Sequence, residues 1–193
     1  MIELYTSPTP NGYKTSVTLE ELEIPYNVHV VNLMSGDQRK PEFLKLNPNG
    51  RIPVIVDTDN DNLAIMESGA QLIYLAEKAG KLLPTETNAR SKVIQWLMFQ
   101  MASVGPMLGQ THHFRNYSPK KIPYAINRYT NEATRIYGVI NRRLSKSKFI
   151  ANNSYSIADM AIFPWIRPFE NQGQDLNQYP HLKKSKFEMN DSS

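Results

Sequence analysis

The stretch "IPVIVDTDNDNLAIMESGAQLIYLAEKAG", Ile52 to Gly80, decides the fold. Its first half holds two short apolar runs, "IPVIVD" and "NLAIM", joined by the polar turn "TDNDN", which predicts an antiparallel hairpin. Its second half changes period. From Glu67 to Ala79 the residues Leu72, Ile73, Leu75 and Ala76 share one helical face, and Gly80 stands where a helix C-cap belongs. Upstream, Ile2 to Tyr5 is a short apolar strand, and Lys14 to Glu23 carries Val17, Leu19 and Leu22 at helical spacing. Tyr26 to Asn32 is rich in β-branched residues and bounded by Pro25, so it reads as a second strand, and a crossover through a helix makes that pair parallel. "PEFLKLNP" offers a short helix between Pro41 and Pro48. The order over residues 1–80 is therefore βαβαββα.

Beyond the linker-like "GKLLPTETNA" the strand signals fade. Val93, Trp96, Leu97, Gln100, Met101 and Val104 recur every three or four residues, and a second long helix covers Tyr124 to Leu144. In "YSIADM", Ser156 as N-cap and Asp159 three residues on predict a capping box, with Tyr155 and Met160 placed as a hydrophobic staple. "SKSK" at 145–148 and the polar tail "KKSKFEMNDSS" read as surface, the tail as fraying. The organisation expected is an α/β domain at 1–80, a linker at 81–88 and an all-helical domain at 89–193.

Composition narrows the function classes. Of 193 residues, 40% are hydrophobic and 21% charged, which is globular rather than disordered. The net charge of +4 favours anions, but the 22 Lys and Arg are spread among 18 acids with no basic block, so nucleic acid is not the expected partner. No run approaches a membrane span and the start lacks a signal-peptide pattern, so a soluble cytoplasmic protein is expected. There is no cysteine. Disulfides, thiolate metal sites and a protein thiol nucleophile are thereby excluded, and any sulfur chemistry arrives with a ligand.

Four segments of the α/β half carry candidate chemistry, and a cleft beside the helical half is where a ligand is expected. "SPTPNGYK" (7–14) is explained as a turn, or else Asn11 opens a helix whose unpaired N–H groups attract an anion. Arg51-Ile52-Pro53 is an X-Pro bond before a strand; a cis isomer would turn the Ile52 backbone outward, though trans is much commoner. At Glu67-Ser68, the hydroxyl and helix N–H groups suit a carboxylate while the Glu suits an ammonium, the two charges of an α-amino-acid end. The alternative is that Ser68 caps the helix and Glu67 complements its dipole. In "GDQRK", Gln38 with Arg39 or Lys40 would hold a second carboxylate, unless the loop is simply solvated. His112 and His113 diverge on a helix and have no i,i+4 partner, so no metal site is expected, and packing around Phe114 or a cleft wall is their reading.

The βαβαββα order, the X-Pro before strand three, the Glu-Ser helix start and the helical second half together resemble the cytosolic glutathione transferases. "TPNGYK", "ESGAQLIYLAEK", "QWLMFQM", "GPMLGQTHHF", "IPYAINRY" and "YSIADMAIFPW" are similar to the nu-class bacterial members, the glutathione-dependent disulfide-bond oxidoreductases. A yeast nitrogen regulator with a transferase-like domain is a more distant likeness. The resemblance implies a thioredoxin-like N-terminal domain, an all-α C-terminal domain with the usual last helix missing, and glutathione as cosubstrate. By it, Glu67 and Ser68 bind the γ-glutamyl end, the Ile52 backbone before a cis Pro53 pairs with the cysteinyl amide, and Gln38 and Arg51 hold the glycyl carboxylate. Thr9 and Asn11 face the sulfur as the catalytic pair, ahead of Tyr5, Ser7, Tyr13 and Ser16, the hydroxyls other transferases would use. Arg128 reaches glutathione from a neighbouring subunit, which implies a homodimer; a plain helix-surface Arg paired with Glu132 is the alternative. The implied reaction is disulfide reduction by glutathione thiols. Conjugation to electrophiles, peroxide reduction and a non-catalytic glutathione-binding regulator are the alternatives.

Overall fold

The computed structural model of the chain describes residues 1–190, with side chains through Ser185. The chain divides into two compact units, Met1–Leu83 and Pro84 onward.

The first unit is built on four strands, β1 (Ile2–Thr6), β2 (Tyr26–Val30), β3 (Val54–Asp57) and β4 (Leu63–Ile65). Their spatial order is β2-β1-β3-β4. β1 and β2 run parallel in the register Leu4↔Val28, while β1/β3 and β3/β4 are antiparallel, with Leu4↔Ile55 and Ile55↔Ile65 opposed. Three helices cover the sheet: α1 (Pro10–Glu21), α2 (Pro41–Leu46) and α3 (Ser68–Ala79). The side-chain period of two sorts the core into two layers. Ile2, Leu4 and Ile55 meet Leu19 and Leu22 and Leu75 on one face, and Val54 meets Val31 and Phe43 on the other. Each such fully buried aliphatic contributes about 1.5–3 kcal/mol by leaving water. This is the thioredoxin-like α/β arrangement expected.

Two helices depart from the expected boundaries and stripes. α1 starts at Pro10, four residues before the predicted Lys14, because Thr9 acts as N-cap, its Oγ1 accepting from Gly12 N at 3.1 Å, and Pro10 occupies the first turn, where its missing N–H costs nothing. Its buried face holds Lys14, Thr15, Thr18 and Leu19, with Leu22 just beyond, and Val17 sits at its margin. On α3 the face runs through Ser68, Gln71, Leu72, Leu75 and Ala76, so Gln71 takes the place expected for Ile73. Gly80 ends α3 in the left-handed conformation at φ 66°.

The second unit is helical: α4 (Thr87–Phe99), α5 (Gly105–His112), α6 (Pro123–Leu144), α7 (Ile157–Ile166) and α8 (Pro180–Asn190). α4 begins inside the segment expected as linker, because Glu86 caps it, its carboxylate accepting from Asn88 N and Ala89 N. Between α4 and α5 the chain widens to a π-helical turn at Gln100–Val104, and a second follows at His113–Tyr117. The first precedes Pro106, which has no N–H to continue an i→i−4 ladder, so the misfit is absorbed as one wide turn. α6 turns Ala133, Ile136, Tyr137 and Ile140 inward at i, i+3, i+4 and i+7. α7 is buried around nearly its whole circumference, as its uniformly apolar sequence requires. The tail expected to fray is a correction: "KKSKFEMN" continues α8 to Asn190, whose start is fixed by Asn141 Oδ1 accepting from His181 N and Leu182 N. Residues 191–193 of that tail lie outside the described residues.

Candidate functional site

Three of the four candidate segments meet through one buried residue that the sequence reading passed over. Gln71 on α3 is fully buried. Its Nε2 donates to Pro53 O at 2.8 Å and to Ile65 O at 2.9 Å, while its Oε1 accepts from Thr15 Oγ1 of α1 at 2.7 Å. One amide thus ties the turn of α1 after Asn11, the start of β3 and the approach to α3 into a fixed frame. Buried amides without partners cost about 1–3 kcal/mol each, so this network holds only as a whole.

At the first corner, β1 runs into the Thr9 cap. Gly12 is obligatory there, since a Cβ would stand 2.2 Å from Ser7 O and 2.5 Å from Thr6 Oγ1. Of the rival hydroxyls, those of Ser7 and Ser16 are engaged. Ser7 is buried and donates to Val31 O, Ser16 leans on the carbonyls of its own helix, and Tyr5 stacks on His29 with centroids 4.5 Å apart. Tyr13 is 41% exposed. Thr9 uses its hydroxyl oxygen as the acceptor of the cap bond, which leaves the O–H as a donor, at the helix N-terminus two residues before Asn11.

At the second corner the Ile52–Pro53 bond is cis, the minority isomer that the sequence reading raised. Asn47 Nδ2 donates to Arg51 O at 2.7 Å and fixes the preceding backbone. Arg51 is exposed, its Nη1 3.5 Å from Gly50 O. Gly50, at φ 61°, lies against the Gln38 carbonyl, with its Cβ position 3.2 Å from that oxygen, so Gln38 and Arg51 come from adjoining backbone. Gln38 sits in a short 3-10 turn, is 8% exposed, and has its Oε1 buried without a partner. The unpartnered atom is an acceptor, so it suits a ligand N–H, and only the Nε2 of this amide could donate to a carboxylate. Arg39 is exposed, as Arg51 is, and Lys40 is engaged by Asp37 at 2.7 Å.

The third corner is the start of α3. The structure puts Glu67 rather than Ser68 at the N-cap, and its side chain makes no cap bond. Intrahelical bonding begins with Gln71 N donating to Glu67 O, so the N–H groups of the first turn have no acceptor within the helix. Glu67 holds φ 66° and ψ 112°, a backbone state that costs a non-glycine residue of order 1–3 kcal/mol and clusters at ligand sites. Ser68, 7% exposed, faces the second residue missed from sequence. Lys14 of α1 is 2% exposed and its Nζ lies 3.4 Å from Ser68 Oγ. Burial brings the Lys14 ammonium down to about 7, against the pull of the Glu67 charge. The signal for both misses was available: once α1 starts at Pro10, Lys14 falls on the stripe with Thr18 and Leu22, as Gln71 does with Leu75.

Arg128 is on α6 of the second unit. Its side chain is 55% exposed and 3.9 Å from a Glu132 carboxylate that Arg135 holds more closely, at 2.6 Å. Among the described residues no cluster of His, Asp and Glu fits a metal ion. His112 is buried, 6.0 Å from the Trp165 ring, with burial lowering its pKa and its Nε2 without a partner; His113 packs edge-on against Phe114, which stacks on Tyr129.

Comparison with known proteins follows the same division. Residues 9–78 match the family described as "Glutathione S-transferase, N-terminal domain", and residues 113–191 match "Glutathione S-transferase, C-terminal domain". The chain is similar to "Disulfide-bond oxidoreductase YfcG" of Escherichia coli, 48% identical over 187 residues, 95% of this chain and 87% of that one. Among solved structures it is similar to a glutathione transferase family member from Pseudomonas fluorescens with two glutathione bound, at 43% identity and TM-score 0.91, covering 97% and 87% of the two chains. A glutathione transferase from Pseudomonas putida with one glutathione disulfide bound per subunit matches at 40% identity and TM-score 0.91, covering 97% and 85%.

Proposed function

The chain belongs to the glutathione S-transferase family, and from that premise we propose that it is a glutathione-dependent disulfide reductase that works without a thiol of its own. The observation that carries this is the conjunction, in one Gln71-fixed frame, of an α3 start that its own side chain does not cap with a chain that has no cysteine.

Ser68 and the first N–H groups of α3 receive the carboxylate of the γ-glutamyl end, and Glu67 receives its ammonium. The Ile52 backbone pairs with the cysteinyl amide, and Gln38 and Arg51 hold the glycyl carboxylate. The sulfur then lies at Thr9 and Asn11. Their donors, with the positive end of α1, favour the thiolate and lower a thiol pKa from its usual ~8.5. The thiolate attacks one sulfur of a disulfide substrate; an S–S bond forms to glutathione, the substrate S–S bond breaks, and one substrate half leaves as thiolate. A second glutathione thiolate attacks the glutathione sulfur of that mixed disulfide, releasing the other half and glutathione disulfide. The two protons of the glutathione thiols end on the two released thiols, and no protein sulfur changes oxidation state.

The readings of an intracellular enzyme and of a homodimer, in which Arg128 of one copy reaches glutathione in the other, belong to the same proposal. The exposure of Arg128 and its long distance to Glu132 support it, because a tightly paired guanidinium would not be available to a ligand. No helix among the described residues is long and apolar enough to cross a membrane.

The test is an assay of purified protein with glutathione against hydroxyethyl disulfide and against chlorodinitrobenzene, with Asn11→Ala alongside. Disulfide turnover well above conjugation, and lost by about tenfold or more in Asn11→Ala, is expected from one removed charge-assisted bond. Conjugation exceeding disulfide turnover would replace reduction by the electrophile reading. Binding of glutathione with neither activity would leave a regulatory binder.

A further inference from the structure

Lys14 is the only lysine or arginine in the buried class among the described residues. It lies on the inner stripe of α1, between Gly12 at the loop and Thr18 and Leu19 at the core, where a Leu or Met would pack at less cost. Its Nζ faces Ser68 Oγ at 3.4 Å, across the packed α1–α3 contact, behind the start of α3. The charge acting on it comes from Glu67, in the turn before α3. Neutral groups beside it include Ser68 and Gln71 on α3, and Thr15 and Thr18 on α1, with Thr15 bonded to Gln71 and Thr18 to the Lys14 carbonyl. The acids of its own helix, Glu20 and Glu21, are nearly two turns further on.

We propose that Lys14 is a positioning residue that couples binding at the start of α3 to proton uptake: its amine charges when a carboxylate docks at Ser68, and the ammonium then holds that carboxylate from behind. The inference rests on the reading of Glu67 and Ser68 as the γ-glutamyl site and adds to it a residue that never meets bulk water. In the free protein, burial leaves the amine half-charged near neutral pH, with Glu67 as the opposing influence. A carboxylate at Ser68 adds a second negative charge just beyond the hydroxyl that lies 3.4 Å from Nζ, within low-dielectric surroundings. The ammonium of the same ligand end is directed to Glu67, whose side chain is exposed and whose field water screens. The nearer, less screened charge dominates, so the amine becomes more basic on binding. By linkage, protonation and carboxylate binding then favour each other by the same factor. The sign follows. Above pH 7 the free protein has released the proton, the complex takes it back, and affinity falls as pH rises from 7 toward the pKa of the complex. Each unit by which binding raises that pKa is a tenfold loss of affinity across the window.

S-methylglutathione separates this from thiol ionisation, because it keeps the γ-glutamyl end and has no titrating sulfur. Calorimetric titrations at pH 7.5 in phosphate and in Tris, which differ in ionisation enthalpy, read the protons exchanged. For wild type we expect uptake of a substantial fraction of a proton and an affinity falling about fivefold or more between pH 6 and pH 8, below the range in which the ligand's own α-ammonium titrates. Lys14→Met and, in parallel, Lys14→Gln should both lose that uptake, bind more weakly at pH 6.5 and show a flat profile over that range. A melting curve of each variant establishes that it is folded. Equal proton uptake in wild type and in either folded variant overturns the role of Lys14 while leaving the site intact. Failure of wild type to bind at any pH overturns the glutathione reading and this inference with it.

Discussion

The starts of α3 and α7 face one problem, the unpaired N–H groups of a first helical turn, and solve it in opposite ways. At α7 the answer is internal. Ser156 and Asp159 form a reciprocal capping box, Asp159 Oδ2 accepting from Ser156 N at 3.1 Å and from its hydroxyl at 3.0 Å, while Oδ1 accepts from Ile150 N at 2.7 Å. The whole arrangement is buried. At α3 the N-cap residue, Glu67, makes no side-chain cap bond and holds a left-handed φ of 66°, and the next residue, Ser68, has the buried Lys14 amine 3.4 Å from its hydroxyl. A helix start that spends its hydrogen bonds on itself serves stability. One whose N-cap side chain makes no cap bond, at a cost in backbone energy, matches the ligand-site reading proposed for it.

The largest effect is expected from Asp159→Ala at the α7 start. It strands the Ile150 and Ser156 N–H groups in a buried place, so urea denaturation should show a loss of about 3–5 kcal/mol. Glutathione affinity of the folded fraction should be unchanged. A comparable loss of affinity at constant stability would show that the α7 start is not merely a cap. Asp159 also carries a pH signature: burial lifts its carboxyl to about 6, opposed by the Ile150 and Ser156 bonds, above its ordinary value near 3.8. Its favourable proton linkage is fully present below that ordinary value and is lost as pH rises through about 6.

Next in size is the stability cost of the buried amine at the α3 start. The folded pKa of Lys14, about 7, lies below the ordinary 10.5, so between those values the unfolded chain holds a proton that the folded chain has released. Stability of the free protein relative to Lys14→Met should therefore rise by about 2 kcal/mol from pH 7 to pH 9. A pH-independent difference between the two proteins would mean that the amine is not desolvated in solution. The smallest effect is at Glu67. Glu67→Gly relieves φ 66° and should raise stability by about 1 kcal/mol while abolishing the ammonium contact. A fall in both stability and affinity would sink the idea that this backbone energy is held for a ligand.

Much of this was legible in the sequence, for reasons that also explain the gaps. The hairpin, the crossover and the capping box are local patterns of period and turn chemistry, and the strands β3 and β4 and the Ser156–Asp159 pair stand where those patterns place them. What periodicity missed is polar burial. Val17 and Ile73 look like core by hydrophobicity, yet Thr15 and Gln71 take the inner faces because they satisfy each other across two helices. Lys14 escaped for the same reason, since a cation on an apolar stripe is read as a boundary until its partner, 54 residues away, is known. The π turn at 100–104 was read as ordinary helix, because one residue of slippage hardly disturbs a spacing of three or four, and the one at 113–117 had no periodicity assigned to it.

The central claim is that the start of α3 is reserved for the amino-acid end of glutathione. Its most direct test is calorimetric titration of glutathione into wild type and Glu67→Ala, with a melting curve of each. Affinity lower by about tenfold or more in the variant, with the two melting temperatures within about 2 °C, is predicted from loss of one charge-assisted bond at an exposed position. Equal affinity in the two proteins would contradict it.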